Sequence, residues 1–183
     1  MASSMITKKR IAKAFKTCLN RQTFEKLSVR HIMEEAQLRR QTFYDHFLDK
    51  YDLLEWIFQT DLEEQITANL DYISGWALLG EVLHFFESNR SFYQHVFKIV
   101  DQNDFSTYFL SYCRQLIEKI IREEENKQHL SLSNQSKEVL INYHSGALCQ
   151  AIKMEIVRPT CYLTERCKPW QQIILASILS FQS

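Results

Sequence analysis

Glycine and proline, the residues that most often interrupt regular structure, are nearly absent from this chain. Its 183 residues include three Gly and two Pro. Turn-rich β-sandwiches and barrels need many such residues, whereas helices need few. Hydrophobic residues make up 45% of the chain, which supports a packed core rather than a disordered chain. Because apolar residues recur at helical spacing and no segment alternates convincingly as a strand, we expect an all-α protein.

The most specific pattern lies in residues 27–47, which predict two short helices joined by a tight turn. Ser28 suits the N-cap of the first helix, and the second is expected over about residues 39–47. A further helix over about residues 5–20 precedes them, which makes a helix-turn-helix arrangement. The second short helix carries a polar outward set: Arg39, Arg40, Gln41 and Tyr44. Side chains of this kind suit DNA better than a protein interior.

Charge is distributed unevenly along the chain. Residues 1–50 contain 11 Lys and Arg against 5 Asp and Glu, and residues 51–183 contain 11 against 17. A basic first quarter on an acidic body fits an anionic partner such as nucleic acid. Taken alone, this charge distribution is explained equally well by chance clustering of charged residues on a solvated face.

Cysteine and histidine give no sign of a metal site. The five cysteines are an odd number without a CxxC pair, which argues against a disulfide framework and a zinc site; they are Cys18, Cys113, Cys149, Cys161 and Cys167. We expect buried free thiols in a reducing compartment. The six His are scattered, so we expect neither a metal nor a cofactor.

The sequence also argues against an enzyme and against a membrane protein. It has no Gly-rich phosphate loop, no nucleophile elbow and no His/Glu metal spacing. No apolar run reaches the length of a membrane span, and no signal peptide precedes the first basic residues. We expect a soluble protein of the cytoplasm.

The rest of the chain predicts a larger helical body. We expect a long fourth helix that begins at Asp49, and a division into a helix-turn-helix domain at 1–50 and a regulatory and dimerisation domain at 51–183. Further helices are expected over about residues 76–89, 92–100, 105–126, 135–158 and 169–181.

The helix-turn-helix segment resembles the N-terminal domain of the TetR family of transcriptional regulators. The matching residues are Phe24, SVRHI at 28–32, Ala36, TFYDHF at 42–47 and DKYDLL at 49–54. The string RRQTFY at 39–44, followed by DKYDLLEWI at 49–57, resembles a narrower subgroup, the regulators of dihydroxyacetone kinase operons. This resemblance implies a homodimer that binds palindromic double-stranded DNA. For the subgroup it also implies an activator that works with a co-activator protein similar to a dihydroxyacetone kinase subunit.

Three positions depart from the broad family pattern. Gln37 stands where the family usually has a turn glycine, so a positive φ there would cost strain. Arg39 stands where a capping Ser or Thr is common, and Gln41 replaces a frequent small residue. We expect the base preference of this chain to differ from that of its relatives at these positions.

Eight residues are candidates for contact with DNA. Arg40 and Gln41 are the candidate base readers, because Arg can pair with guanine and Gln with adenine through two hydrogen bonds each. Thr42 and Tyr44 suit a base or a phosphate. The candidate phosphate contacts are Arg39, Ser28, His46 and Lys50. A solvated helix surface is the alternative for Arg40 and Gln41, and a structural role is the alternative for His46.

A dimer is also suggested by the last two predicted helices. Small residues at Gly146 and Ala147 permit close helix approach, and the terminal helix has an apolar face. The candidate dimer contacts are Gly146, Ala147, Trp170, Ile174, Ser177, Ile178 and Phe181. The alternative is that these residues pack into the core of their own chain. Part of the apolar face must do so in either case.

How the body receives a signal is left open by the sequence. Nine aromatic residues could line a ligand pocket or simply form core: Phe85, Phe86, Phe92, Tyr93, Phe97, Phe105, Tyr108, Phe109 and Tyr112. A pocket would suit a repressor released by a small ligand, and the subgroup resemblance implies a protein signal instead. A helical interaction module that does not bind DNA is the third possibility.

Overall fold

The computed structural model describes residues 2–99 and 105–181, and within these ranges it is helical, with no strand. The helices are α1 Ala2–Leu19, α2 Val29–Ala36, α3 Arg40–Tyr44, α4 Lys50–Gln65, α5 Gly75–Ser88, α6 Arg90–Ile99, α7 Phe105–Gln128, α8 Asn134–Val157 and α9 Cys167–Leu179. A 3-10 turn, Thr67–Asn69, follows α4. The all-α prediction is confirmed, and the bounds of α5 to α9 lie within two residues of the predicted ones. Val100, predicted to end α6, lies outside the described residues.

The described residues group into two compact units. The first contains residues up to Thr60 together with the segment from Ser91 to Ile99, and the second contains the remainder. Aromatic contacts explain why the first unit extends beyond residue 50. The ring of Phe58 lies 6.1 Å from that of Tyr93, and the ring of Phe15 lies 6.4 Å from that of Phe92. A functional division at residue 50 stays a prediction.

The first unit is built around apolar faces of α1, α2 and α3. Ile11, Phe15 and Leu19 form the buried face of α1, one or two helical turns apart. They share a core with buried residues of the other segments: Phe24, Leu27, Ile32, Met33, Phe43 and Phe47. Burying each such side chain contributes roughly 1.5–3 kcal/mol. This core fixes the short helix α3, which is too short to be stable alone.

The second unit is built on α7 and α8, each 24 residues long, with α5 and α9 packed against them. Gly75 at the start of α5 permits one close approach, because a Cβ there would lie 2.6 Å from Cγ1 of Ile120 on α7. Its amide also donates to Oε2 of Glu123 at 2.7 Å. The buried core of this unit includes Leu79, Phe86, Phe109, Ile117, Leu148, Ile152 and Ile156.

The candidate pocket aromatics pack as core within each unit. Phe86 and Phe109 are fully buried with ring centroids 5.1 Å apart, and Tyr93 and Phe97 pack 5.8 Å apart in the other unit. Tyr108 is exposed. The side chain of Phe105 lies outside the described residues. The packing favours the core interpretation for the buried members of the set.

Three further observations concern membrane spans, metal sites and the cysteines. Within residues 2–99 and 105–181, no helix is both long and apolar enough to span a bilayer. Over the same residues, no three His, Cys, Asp or Glu side chains gather as metal ligands would. All five cysteines are free; Cys18, Cys113 and Cys149 are buried, whereas Cys161 and Cys167 are only partly buried, contrary to expectation for those two.

Candidate functional site

Helix α2 begins at the cap that the sequence predicts. Ser28 has extended backbone angles, and its hydroxyl oxygen accepts from the amide of His31 at 3.3 Å. The Ser28 amide in turn donates to Nδ1 of His31 at 3.5 Å, which completes a reciprocal cap. On the outer face Arg30 pairs with Glu34 at 2.7 Å, and this guanidinium lowers the pKa of the Glu34 carboxyl. The Ser28 hydroxyl stays exposed at the helix end.

The turn between α2 and α3 passes through Gln37 in the left-handed region. Its φ is 53° and its ψ is 44°, so the positive φ considered from the sequence is present. The amide of Gln37 donates to the carbonyl of Glu34, and the amide of Leu38 donates to that of Met33. These bonds close the C-terminus of α2 in the way that a glycine usually does. A non-glycine residue here costs roughly 1 kcal/mol.

Helix α3 is shorter than the sequence predicts. It covers Arg40–Tyr44 rather than about residues 39–47, and no side chain caps it, because the side chain of Arg39 makes no cap hydrogen bond. The chain then turns: the amides of His46 and Phe47 both donate to the carbonyl of Phe43. Phe43 and Phe47 are buried and anchor this segment to the core of the first unit.

The outer side of α3 is a polar surface, named here the α3 outer face. It consists of Arg39, Arg40, Gln41, Thr42 and Tyr44. Thr42 is half-buried, and the other four are exposed. Nη2 of Arg40 donates to the hydroxyl of Tyr44 at 3.1 Å, and the guanidinium carbon lies 5.6 Å from the ring centroid. This contact pairs two long side chains that lie one helical turn apart.

Lys50 begins α4, and its side chain is bound within the chain itself. Its ammonium donates to the carbonyls of Phe24 at 2.7 Å and Leu27 at 3.0 Å, with a longer contact to that of Glu25 at 3.4 Å. It also lies 4.4 Å from the centroid of the Phe24 ring. An ammonium has three donors, so these carbonyls engage all of them. The structure therefore does not support Lys50 as a phosphate contact, and shows it tying α4 to the segment before α2.

The last candidate of the first unit is His46, and Lys8 and Asp49 contribute to the packing and capping near it. His46 is half-buried, with its ring 6.4 Å from that of Phe47. The ammonium of Lys8 lies 5.2 Å from the Phe47 ring and 5.5 Å from that of Trp56. Asp49 caps α4 by accepting from the amides of Tyr51 and Asp52 at 2.8 and 2.9 Å, as the sequence predicts.

The second unit exposes a long uncharged surface, named here the α8 stripe. Its six members are exposed and follow spacings of four, four, three, four and three residues: Val139, Tyr143, Ala147, Gln150, Met154 and Val157. This spacing places all six on one side of the helix. Only Ala147 is among the residues predicted from the sequence; the other five were not predicted, although the same spacing is visible there.

The predicted dimer residues divide into two groups in the structure. Ala147 and Phe181 are exposed, while Gly146, Trp170 and Ser177 are half-buried. Ile174 and Ile178 are 4% and 0% exposed within the single chain. Ile178 therefore packs entirely against its own chain, which does not support it as a dimer contact, whereas Ile174 reaches the lining of the groove between α8 and α9 and stays a predicted contact.

A groove lies between α8 and α9 beside the α8 stripe. It has a volume of about 220 Å³ and is lined by Tyr143, His144, Ala147, Leu148, Ala151, Trp170, Ile173 and Ile174. Ile173 at its edge is 57% exposed. Nε2 of His144 is buried and has no hydrogen-bond partner within the described chain, and burial lowers the pKa of this ring. One residue of this lining therefore has a buried nitrogen without a hydrogen-bond partner.

Family models match both the N-terminal and the C-terminal part of the chain. Residues 11–57 match the family model for bacterial regulatory proteins of the tetR family, and residues 77–154 match the model for a transcriptional regulator C-terminal region. The HTH-type dhaKLM operon transcriptional activator DhaS of Lactococcus lactis subsp. lactis is 35% identical over 183 residues, covering 100% of this chain and 96% of that protein.

Solved structures agree with the sequence comparison. A structure named dihydroxyacetone kinase operon activator DhaS aligns with a TM-score of 0.88 at 35% identity, covering 98% of this chain and 99% of that one. A TetR transcriptional regulator from Streptococcus agalactiae 2603V aligns with a TM-score of 0.64 at 18% identity, covering 94% and 96%, which is a likeness of fold. The matched proteins are regulators, so a regulator is supported over an enzyme. The chain belongs to the TetR family of DNA-binding transcriptional regulators.

Proposed function

We propose that the chain acts as a homodimer that reads a near-palindromic operator with two copies of the α3 outer face. The observation that carries the proposal is the exposed, hydrogen-bonded Arg40–Tyr44 pair beside Gln41. A helix fits the major groove of DNA, where the donor and acceptor pattern of each base pair is distinct. A two-fold dimer would present its two reading helices roughly 34 Å apart, one turn of the duplex.

Each side chain of the α3 outer face has a role that its chemistry permits. Arg40 spends one guanidinium donor on Tyr44 and keeps others for the two acceptors of guanine. Gln41 offers a donor and an acceptor to adenine. The Tyr44 hydroxyl accepts from Arg40 and retains its own hydrogen for a phosphate or a base.

Phosphate contacts would fix the register of the helix in the groove. Arg39 is exposed at the start of α3, and its side chain is not used as a cap. The exposed Ser28 hydroxyl can donate to a phosphate while its oxygen still caps α2. Thr42 and His46 are half-buried at the border of this surface and complete the proposed set.

The α8 stripe and the groove beside it are the proposed dimer surface. The stripe is exposed over the length of α8 and contains no charged residue, which is unusual for a surface that faces water. In the described chain the space above Gly146 is open, since a Cβ built there meets nothing within 4 Å. A second copy could therefore approach α8 closely around Gly146 and Ala147.

The operon under control is proposed from the relatives. The protein that is 35% identical over the whole chain is named an activator of the dhaKLM operon. We infer that this chain activates a dihydroxyacetone kinase operon in the cytoplasm, with a co-activator protein similar to a dihydroxyacetone kinase subunit. The core packing of the candidate pocket aromatics fits a protein signal better than a ligand that releases a repressor.

Capture of the full chain from cells grown with and without dihydroxyacetone tests this proposal. The bound DNA is identified by footprinting, and co-purified proteins are identified by mass spectrometry. The proposal expects a near-palindromic site upstream of a kinase operon, and a kinase-like protein only with the sugar. Recovery of the regulator alone, together with direct binding of dihydroxyacetone to it, would instead favour the small-ligand alternative.

A further inference from the structure

The start of α4 has an exposed hydrogen-bond donor that the proposed DNA contacts do not use. Tyr51 is the second residue of α4 and is 44% exposed. Its backbone amide donates to Oδ1 of Asp49, whereas its hydroxyl has no hydrogen-bond partner within the part of the chain that the structure describes. A phenol hydroxyl can both donate and accept. Many exposed tyrosines are simply solvated, so the surroundings of Tyr51 decide whether it has a role.

The other donors around this helix end are already engaged. The ammonium of Lys50 donates to three backbone carbonyls of the segment before α2. The amides of Tyr51 and Asp52 donate to Asp49, and the amide of Leu48 donates to Oδ2 of Asp52 at 2.8 Å. A helix N-terminus often offers such amides to an anion. Among the groups named here, the Tyr51 hydroxyl is the donor that remains available.

The ring that carries this hydroxyl is held in place. It packs edge-to-face against the buried ring of Phe24, with the centroids 4.9 Å apart. The ammonium of Lys50 lies 4.4 Å from the Phe24 centroid and 5.9 Å from that of Tyr51. The same ammonium interacts with the exposed carboxylate of Glu25 and offsets part of its charge. A packed ring with two torsions loses little entropy when its hydroxyl binds a ligand.

Tyr51 also lies beside the segment that leads into the cap of α2. Phe24, which its ring contacts, is four residues before Ser28. Leu27, whose carbonyl accepts from Lys50, is the residue directly before Ser28. The starts of α2 and α4 are therefore neighbours in the first unit, and each has an exposed hydroxyl.

We infer that the Tyr51 hydroxyl donates a hydrogen bond to a phosphate of the DNA backbone, with Lys50 as its positioning residue. This inference rests on the proposed function, because it requires the first unit to bind DNA, and it adds one residue to the phosphate contacts. The hydrogen bond comes from a neutral group, and the charge comes from the ammonium behind it. Hydrogen bonds to a charged acceptor are stronger than those between neutral groups.

Tyr51→Phe tests the contact, because it removes the hydroxyl and keeps the ring. Affinity for the footprinted operator, measured by fluorescence anisotropy, should fall about tenfold, since each copy in the dimer loses a hydrogen bond to a charged acceptor. The urea unfolding midpoint should stay the same. Tyr162→Phe, at a tyrosine of the second unit that is 45% exposed, is the matched control and should change neither quantity.

Two further readouts separate a phosphate contact from other roles. The affinity for a random-sequence duplex should fall by a similar factor, because a phosphate contact reads no sequence. The slope of log affinity against log salt should not change, because the variant removes no charge. In a scan of single methylphosphonate linkages, one position in each half-site should weaken wild type more than Tyr51→Phe.

Three results would overturn the inference: an unchanged affinity of Tyr51→Phe, a loss confined to the operator sequence, or a loss that accompanies a lower unfolding midpoint. Arg40→Ala with Tyr44→Ala, measured in parallel, separates this inference from the proposed function. If that double variant binds the operator as tightly as wild type, the α3 outer face and the proposed function fail. If it loses specific binding while Tyr51→Phe keeps full affinity, only the role of Tyr51 fails.

Discussion

Two exposed surfaces of this chain differ in nearly every property. The α3 outer face is short, five residues of which two are arginines, and it belongs to a helix without a side-chain cap. The α8 stripe covers most of a 24-residue helix that Ser133 caps, and it contains no charge. Exposed cations with planar, hydrogen-bonding heads suit DNA, while an exposed uncharged stripe suits another protein surface. The comparison teaches that the kind of exposed side chain, rather than exposure itself, indicates the partner.

The two surfaces also differ in what supports them. Helix α8 has enough length to bury its inner face from Leu140 to Ile156. Helix α3 has one inward anchor, Phe43, and depends on its neighbours. Lys50 supplies part of that support through the carbonyls of Phe24 and Leu27. Changes outside α3 should therefore disturb the α3 outer face, whereas the α8 stripe should resist them.

Salt should separate the two surfaces most strongly. Raising salt from about 50 to 200 mM should weaken DNA binding by about a hundredfold or more, because cationic side chains displace counterions from phosphates. The dimer dissociation constant should change little over the same range, since the α8 stripe has no charge to screen. Fluorescence anisotropy and sedimentation measure the two quantities. A salt-insensitive affinity for DNA would contradict the role given to the α3 outer face.

Replacing Lys50 by methionine should have the next-largest effect. The change leaves carbonyls of Phe24 and Leu27 without their donor and should lower the free energy of unfolding by about 2 kcal/mol. DNA affinity should fall with it, and the dimer should remain. Urea unfolding measures the stability, with Lys98→Met, at an exposed lysine of α6, as the control. Unchanged stability together with weakened DNA binding would restore Lys50 as a direct phosphate contact.

Replacing Gln37 by glycine should have the smallest effect, and in the stabilising direction. Glycine adopts the left-handed region without the penalty of a Cβ, so the free energy of unfolding should rise by about 0.5–1 kcal/mol. Thermal unfolding of the two proteins measures the difference. A loss of stability would show that the Gln37 side chain contributes more than its backbone strain costs.

Much of the local structure could be predicted from the sequence because its determinants are local. The cap at Ser28, the left-handed turn at Gln37 and the cap at Asp49 each depend on residues within a few positions. The position of Lys50 could not be predicted, because its acceptors lie 23 to 26 residues away in the chain. The burial of Ile174 and Ile178 depends on which side of α9 faces the second unit, which periodicity alone does not decide.

The α8 stripe shows a different reason for an incomplete prediction. Its spacing is visible in the sequence, but an apolar side of a helix is equally compatible with core and with surface until neighbouring helices are placed. The structure shows that Leu140, Leu148 and Ile152 form the inner side, which leaves Tyr143 and Met154 outside. The contacts of the α3 outer face with DNA remain predictions.

Sequence-specific DNA binding by a double variant of the α3 outer face tests the central claim most directly. Arg40→Ala combined with Tyr44→Ala is compared with wild type on duplexes selected from a random-sequence pool. The matched control, Arg122→Ala with Tyr72→Ala, changes the same residue types at exposed positions of the second unit. We predict that wild type and control bind a near-palindromic site equally, and that the folded Arg40/Tyr44 variant loses at least about a hundredfold, as expected for removal of base contacts in two half-sites. Retention of specific binding by that variant would contradict the account.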